Sequence, residues 1–220
     1  MDNKKINELK KQFSMIADIN GREDFLNSSI LIPLVFMEGE YHFIFQKRNK
    51  NIRQGGEVCF PGGRIDKSDK NSLETALRET YEEFNIRKEK IQIIGRLNSV
   101  FSPVGVMVDG YAGIMDIRSL EDIKFNMSEV EYIFSVPVSF FEKNSPAKHY
   151  VQIKAHPSVI DKNGNEINLL PVDQFNLPKV YSKPWGNSKY AIYLYKYNNE
   201  VIWGLTARFI IDFINRLKKS

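Results

Sequence analysis

Cysteine is nearly absent. A single residue, Cys59, leaves no internal disulfide framework and no multi-cysteine zinc site, and it points to a reducing compartment. Histidine is scarce as well, and His42, His149 and His156 show no metal-ligand spacing. No uncharged apolar run reaches the length that spans a bilayer, and the basic N-terminal stretch MDNKKINELKKQF is not followed by an apolar segment of signal-peptide type. The C-terminal LKKS matches no peroxisomal or retention address. Charge of one sign is lacking too: 31 basic and 27 acidic residues leave a net +4, spread along the chain and not gathered in an arm that would bind nucleic acid. The expectation is a soluble, cytoplasmic protein with a small-molecule substrate and neither a nucleic-acid nor a membrane partner. The sequence permits a homodimer without requiring one.

What the chain does have is core material. Its 220 residues are 42% hydrophobic and 12% aromatic, enough for one globular unit over 1–220. Ile6, Leu9, Phe13 and Ile16 recur at helical spacing and predict a leading amphipathic helix over 4–16, within an N-terminal segment 1–25. Two runs rich in β-branched and aromatic residues, 29–36 and 41–48, flank MEGE and predict a hairpin. Residues 55–72 hold four glycines and a proline, reading as a short strand that runs into a long loop. A helix is expected over about 72–85, capped by Asn71 or Ser72 and stopped by Asn85, which tolerates left-handed backbone. Strand-like runs follow at 91–97, 106–117, 130–138, 149–155 and 190–197, and a closing helix at 206–217. Strand pairs around one central helix with a terminal helix predict a mixed α/β sandwich. The stretch 142–189 carries five of the nine prolines and a turn-like DKNGNE, and is expected to be an inserted hairpin and loop.

Chemistry concentrates on the central helix. At 100° per residue, Glu83 falls about 40° and Glu82 about −60° from Glu79, so three carboxylates share one face with Arg78 at its border. Leu73, Leu77, Thr80 and Phe84 take the opposite face. Like charges at i,i+3 and i,i+4 repel. Such a face is either simply solvated or offset by a cation, and hard divalent ions bind carboxylate oxygen while bridging to phosphate. The loop upstream favours the second: FPGGR (60–64) places two adjacent glycines ahead of the acidic helix, so that backbone can approach a phosphate or metal closely.

This arrangement resembles the box of the Nudix hydrolases. Gly63 is followed after five residues by Asp69 and then by RETYEEFNI at 78–86. The chain departs from the family pattern in having an aspartate at 69, eight residues instead of seven before Arg78, Thr80 for an aliphatic residue, and Asn85 for the closing glycine. The longer loop leaves Asp66 and Asp69 both open as the middle acid. Upstream, Arg48, Asn49, Arg53, Gly56 and FPGG follow the order of the coenzyme A diphosphatase branch, with one residue fewer between Arg53 and Gly56. Residues 95–114, 126–138 and 201–210 also look like that branch, whereas 142–189 does not. The resemblance implies an α/β/α sandwich with a mixed central sheet and a catalytic loop-helix-loop. It further implies Mg²⁺, with Mn²⁺ able to substitute, held by Glu79, Glu82 and Glu83 and oriented by Arg78. Arg48, Arg53, Gly62 and Gly63 would bind substrate, and Glu129 is a candidate base. Hydrolysis of coenzyme A or its thioesters would yield 3′,5′-ADP and 4′-phosphopantetheine or its acyl form. ADP-ribose or another nucleoside diphosphate derivative is the alternative substrate, and a non-catalytic ligand-binding domain the alternative class.

Overall fold

The structure, a computed structural model, describes residues 19–219. The leading helix expected at 4–16 lies outside the described residues. A hairpin of β1 (Leu26–Met37) and β2 (Glu40–Arg48) forms as its two apolar runs predict, and becomes the middle of an eight-stranded sheet. Around it stand β3 (Val58–Cys59), β4 (Gly62–Arg64), β5 (Ile91–Arg96), β6 (Val100–Ser102), β7 (Val106–Met115) and β8 (Val130–Pro137). The path runs β3-β2-β1-β7-β5, with β4 beside β1, β6 beside β7 and β8 beside β2. β1 and β7 are parallel and the other pairs antiparallel, so the sheet is mixed.

Alternation along β1 sends side chains to two separate cores. Leu31 and Val35 pack with Ile44, Tyr111 and Met115 beneath helix α1 (Ser72–Phe84), which contributes Ala76 and Phe84. Ile32 and Leu34 face the other way, against Phe43, Phe45 and Phe209, Ile210 and Ile214 of the C-terminal helix α3 (Gly204–Leu217). One helix on each sheet face makes an α/β/α sandwich. Phe84 is fully buried, and truncating such a side chain to Ala costs about 3–5 kcal/mol.

The ends of α1 follow local chemistry. Asn71 is the cap: its Oδ1 accepts from the Glu74 N–H at 3.0 Å. At the other end Asn85 adopts φ 56°, ψ 31°, and its N–H returns to the Tyr81 carbonyl at 2.8 Å. Asparagine thus fills the left-handed position that glycine more often takes.

The strand expected at 130–138 gives way at Val138 to a short helix α2 (Val138–Lys143), which buries Val138 and Phe141. Beyond it, β9 (Ala147–Ala155) pairs with β12 (Trp185–Tyr197), and β13 (Glu200–Trp203) completes a separate three-stranded sheet. Between β9 and β12, β10 (Ser158–Ile160) and β11 (Glu166–Asn168) form a small hairpin at the DKNGNE turn. β12 runs unbroken through position 189, so the excursion from the strand framework spans residues 156–184.

Candidate active site

Two strands and a helix bring the predicted residues together. β4 pairs with β1 so that Gly62 stands opposite Ile30 and Gly63 opposite Ser29, which fixes the Gly-Gly turn to the centre of the sheet. Helix α1 lies across it. The Gly62 N–H donates to Glu83 Oε2 at 2.9 Å. A Cβ on Gly63 would lie 2.4–2.5 Å from the three carboxyl atoms of Glu79, so only glycine lets that carboxylate approach. The two glycines therefore meet two of the three glutamates directly.

Arg78 ties the acids to one another. Its Nε and Nη2 bond both Asp69 oxygens at 3.0 and 2.9 Å, a bidentate pair. Its Nη1 donates to Glu79 Oε1 at 2.9 Å and reaches Glu82 at 3.2 and 3.3 Å. Asp69 also accepts from the Thr75 hydroxyl at 2.8 Å and from the Asp66 N–H at 3.0 Å. Of the two loop acids left open by the sequence, Asp69 is the one that grips Arg78. Asp66 is exposed and accepts from the Ser68 N–H and hydroxyl, which hold its carboxyl below the ordinary value. The Arg78 guanidinium outweighs burial at Asp69 and depresses that carboxyl far more.

The glutamates differ in their surroundings. Burial pushes Glu83 up to about 7 despite the opposing Gln46 amide, the Gly62 N–H and Arg48. Burial raises Glu79 as well, against the pull of Arg78, and the charges of Glu82 and Glu129 add to the rise. Glu82 has a half-exposed side chain. Glu129 sits in the turn before β8, where its carboxylate accepts from Asn126 Nδ2 at 3.3 Å and its carbonyl from the Asn49 N–H at 2.8 Å.

Arg48 and Arg53 part company. Arg48 places Nη1 3.9 Å from Glu83 Oε1. Arg53 is exposed, and its carbonyl accepts from Arg48 Nε at 3.3 Å.

Two neighbours escaped the sequence reading. Gln46 is fully buried on β2, donates to Cys59 Sγ at 3.5 Å and supports the Glu83 charge. Its only signal is a polar residue inside the apolar run of β2. Asn126 donates its N–H to the Glu83 carbonyl at 2.8 Å and so joins the turn of Glu129 to the end of α1. Nothing local in the sequence marks that contact.

Five carboxylates, Asp69, Glu79, Glu82, Glu83 and Glu129, face two guanidiniums, Arg48 and Arg78. Burial is what raises Glu83, and the excess of carboxylates over guanidiniums is what leaves the cluster short of positive charge. Hard oxygen donors with a deficit of positive charge fit a hard divalent cation. Among the described residues, no group of three acidic, histidine or cysteine side chains is already gathered tightly enough to enclose an ion. The residues fit an ion that keeps several of its waters better than one caged by protein alone.

A mixed sheet between helical layers carries a glutamate-bearing helix laid on a Gly-Gly turn, a loop-helix-loop rich in carboxylates. Residues 27–180 match the NUDIX domain family, and the chain belongs to it. Nudix hydrolases act on nucleoside diphosphate derivatives and generally use a divalent metal. The chain is 28% identical over 185 residues to an uncharacterized Nudix hydrolase of Photorhabdus laumondii, covering 84% of this chain and 81% of that protein. It is 41% identical over 115 residues to Nudix hydrolase 3 of Caenorhabditis elegans, covering 50% of this chain and 47% of the relative. With a peroxisomal coenzyme A diphosphatase of Mus musculus it shares 31% identity over 129 residues, covering 57% and 54%. The chain thus spans about half the length of these two animal relatives. A MutT/nudix family protein from Enterococcus faecalis matches in fold with a TM-score of 0.50 at 12% identity, over 100% of this chain and 71% of that one.

Proposed function

We propose that this protein is a Mg²⁺-dependent pyrophosphohydrolase acting on coenzyme A or its thioesters. The observation that carries the reading is the Arg78 guanidinium, which spans Asp69, Glu79 and Glu82 while Glu83 is held on the Gly62 N–H. One cation-bearing side chain thereby sets the orientation of acids that would otherwise repel. Glu79, Glu82 and Glu83 would hold Mg²⁺, or Mn²⁺ in its place, and the ion would supply Lewis-acid stabilisation of phosphoryl charge and a more acidic bound water.

The remaining roles belong to the chain. Arg48, at the end of β2 beside Glu83, offers a guanidinium to substrate phosphate. The Gly62-Gly63 turn lets phosphate approach backbone without a Cβ in the way. Glu129 is close enough to raise Glu79 electrostatically, which supports it as the group that takes the proton from water. Water attacks phosphorus, the P–O–P bridge breaks and the leaving phosphate carries away the bond electrons. From coenzyme A the products are 3′,5′-ADP and 4′-phosphopantetheine. The order Arg48, Arg53, Gly56, FPGG and the 31% identity to a coenzyme A diphosphatase support this substrate.

The second reading is ADP-ribose or another nucleoside diphosphate derivative. It draws on the two-residue gap between Arg53 and Gly56, one short of the branch pattern, and on the exposed position of Arg53. A panel of coenzyme A, its thioesters, ADP-ribose, diadenosine polyphosphates and nucleoside triphosphates with Mg²⁺ separates the two. Coenzyme A should give the highest kcat/KM, and a clear preference for ADP-ribose would select the alternative. Glu82→Gln and Glu83→Gln should each reduce turnover about 100-fold or more, about 2.7 kcal/mol in barrier, since an amide keeps the shape and removes the charge. Wild-type turnover at saturating Mg²⁺ in both variants would refute the metal assignment.

A further inference from the structure

The loop between β2 and β3 is bonded to itself. The Ile52 N–H returns to the Asn49 carbonyl at 3.3 Å, the Gly55 N–H to the Ile52 carbonyl at 2.9 Å and the Gly56 N–H to the Arg48 carbonyl at 3.0 Å. Gly55 is packed so closely inside it that a Cβ there would stand 2.5 Å from the Lys50 carbonyl oxygen. A loop closed in this way moves as one body, so its contacts with the rest of the protein decide where Arg53 stands.

Three side chains of this segment make contacts that bear on its place. Arg48 joins the Arg53 carbonyl, 3.3 Å from its Nε, to Glu83, 3.9 Å from its Nη1. The loop is thereby hung beside one of the acids proposed for the metal. Lys50 pairs with Glu131 at 3.3 Å, but its side chain is 76% exposed, and an ion pair so open to water holds little. Asn49 uses both ends of its amide. Oδ1 accepts from the Asn51 N–H at 3.0 Å within the loop, while Nδ2 donates to the Met127 carbonyl at 2.9 Å outside it. Its backbone N–H adds a bond to the Glu129 carbonyl at 2.8 Å.

The turn that receives Asn49 is anchored in its own right. The Asn126 carbonyl accepts from the N–H groups of Glu129 and Val130 at 3.0 and 2.8 Å, and its Oδ1 from the Ser128 N–H and hydroxyl at 3.1 and 2.7 Å. The Asn126 N–H in turn donates to the Glu83 carbonyl at 2.8 Å. Glu83 is therefore met twice, at its carboxylate by Arg48 and at its carbonyl by the turn, and Asn49 closes the circuit between them.

We propose that Asn49 is a positioning residue for substrate binding: it clasps the loop 49–56 to the turn 126–129 and so holds Arg53 at a set distance from Glu83, where its guanidinium takes the phosphate that is not cleaved, the 3′-phosphate of coenzyme A. Arg53 is exposed and meets Arg48 through its backbone carbonyl, so its guanidinium stays outside that bond. Without the Met127 bond the loop can tilt about the ends of β2 and β3. A shift of about 1 Å carries a hydrogen bond out of its working range, so a small tilt is enough to lose a single phosphate contact. The proposal rests on the coenzyme A reading of the same site.

The test measures Asn49→Ala, Asn49→Ser, Arg53→Ala and the double variant Asn49→Ala/Arg53→Ala on coenzyme A and on dephospho-coenzyme A, which lacks the 3′-phosphate. Thermal melts establish that each variant is folded at the assay temperature. A serine can keep the bond from the Asn51 N–H, but its hydroxyl ends one bond short of the Met127 carbonyl, so Asn49→Ser isolates the clasp. Both Asn49 variants should raise KM for coenzyme A about fivefold or more, with kcat and the KM for dephospho-coenzyme A within about twofold of wild type, the pattern of a contact made equally in ground and transition state. Arg53→Ala should do the same. Adding Asn49→Ala to it should raise KM no further, because Asn49 acts through Arg53. If Asn49→Ala does not fold, Asn49→Ser takes its place in the double variant. Wild-type KM in the Asn49 variants, an equal rise for both substrates, or effects that multiply in the double variant would each overturn the positioning role while an active wild type keeps the function. A wild type that cleaves ADP-ribose and leaves coenzyme A intact would overturn the substrate reading, and the positioning role with it.

Discussion

Replacing Gly63 by alanine should remove activity while sparing the fold, because the atoms nearest the new methyl group all belong to the end of one side chain. The Cβ would stand 2.4 Å from both Glu79 Cδ and Oε1 and 2.5 Å from Oε2, whereas ordinary contact begins at 3.4 Å. The Glu79 carboxyl must therefore retreat by about 1 Å, a misplacement that costs roughly 100-fold in rate when it falls on a catalytic group. Its 2.9 Å bond from Arg78 would be strained by the same movement. The fold is spared because the end of a flexible side chain can yield. Gly62→Ala is the contrast: its Cβ would stand 2.4 Å from the Ser29 carbonyl oxygen and 2.7 Å from Ile30 Cα, backbone of the central strand that cannot give. That variant should lose about 1–3 kcal/mol or more of stability through overpacking, which lowers the midpoint by about 2–4 °C per kcal/mol in a chain of this size. Thermal melts with kcat measured at saturating Mg²⁺ and substrate separate the two effects. A Gly63→Ala enzyme that turns over within about threefold of wild type would refute the placement of Glu79 in the chemistry.

Three further outcomes follow from the same geometry. Arg48→Ala should weaken both coenzyme A and dephospho-coenzyme A, since Arg48 stands beside Glu83 at the proposed metal and pyrophosphate end. Arg53→Ala should affect coenzyme A alone if it reads the 3′-phosphate, and steady-state kinetics that are unchanged for both variants on both substrates would remove these residues from the site. Cys59, whose thiol burial pushes up to about 11, should resist iodoacetamide at pH 8 in the folded protein. The reaction needs thiolate, and moving the thiol from 9.0 to about 11 cuts that fraction roughly 100-fold; labelling at the rate of the unfolded chain would contradict that shift. Joining Ala155 to Trp185 by a short Gly/Ser turn keeps the residues paired in β9 and β12 while deleting the excursion at 156–184. The truncated enzyme should change its ranking of substrates more than its Mg²⁺ dependence, because loops on a rigid scaffold set specificity. A folded enzyme with an unaltered ranking would refute this, and aggregation would point to a structural use of its exposed Ile160, Leu169 and Phe175.

The local parts of this fold were legible because local chemistry specifies them. The β1–β2 hairpin follows from two apolar runs around MEGE, and α1 from an asparagine at each end, one bonding forward to the helix N–H groups and one adopting left-handed backbone. The face of α1 was legible for the same reason: a period of 3.6 puts Thr80 and Phe84 inwards, both fully buried. The periodic reading nevertheless treats Glu83 as exposed with its neighbours, and it is 98% covered. Its cover comes from β2, β4 and the turn at 126–129, none of which a helical wheel contains. The parallel pairing of β1 with β7, the match of β9 to β12 and the clasp of Asn126 on α1 join residues far apart in sequence, and no spacing rule encodes them. The strand expected to reach 138 ends instead in α2, because Val138 and Phe141 find a core on one side that a continued strand would have to split between two faces.

The choice between Asp66 and Asp69 shows how the sequence and the structure divide the work. Neither acid stands at the family's seven-residue spacing from Arg78, Asp69 leaving eight residues between and Asp66 eleven, so that counting residues does not settle the choice. The tie is broken by Thr75, a residue no motif singles out. Its hydroxyl and the Asp66 N–H both point at Asp69 Oδ2, while Asp66 is drawn off by Ser68. Asp69 is therefore preorganised to pair with the guanidinium through both of its oxygens, although eight residues instead of seven separate it from Arg78. The arginine so held presents Nη1 to Glu79 and Glu82. An acid outside the glutamate cluster thus fixes the cation that orders it.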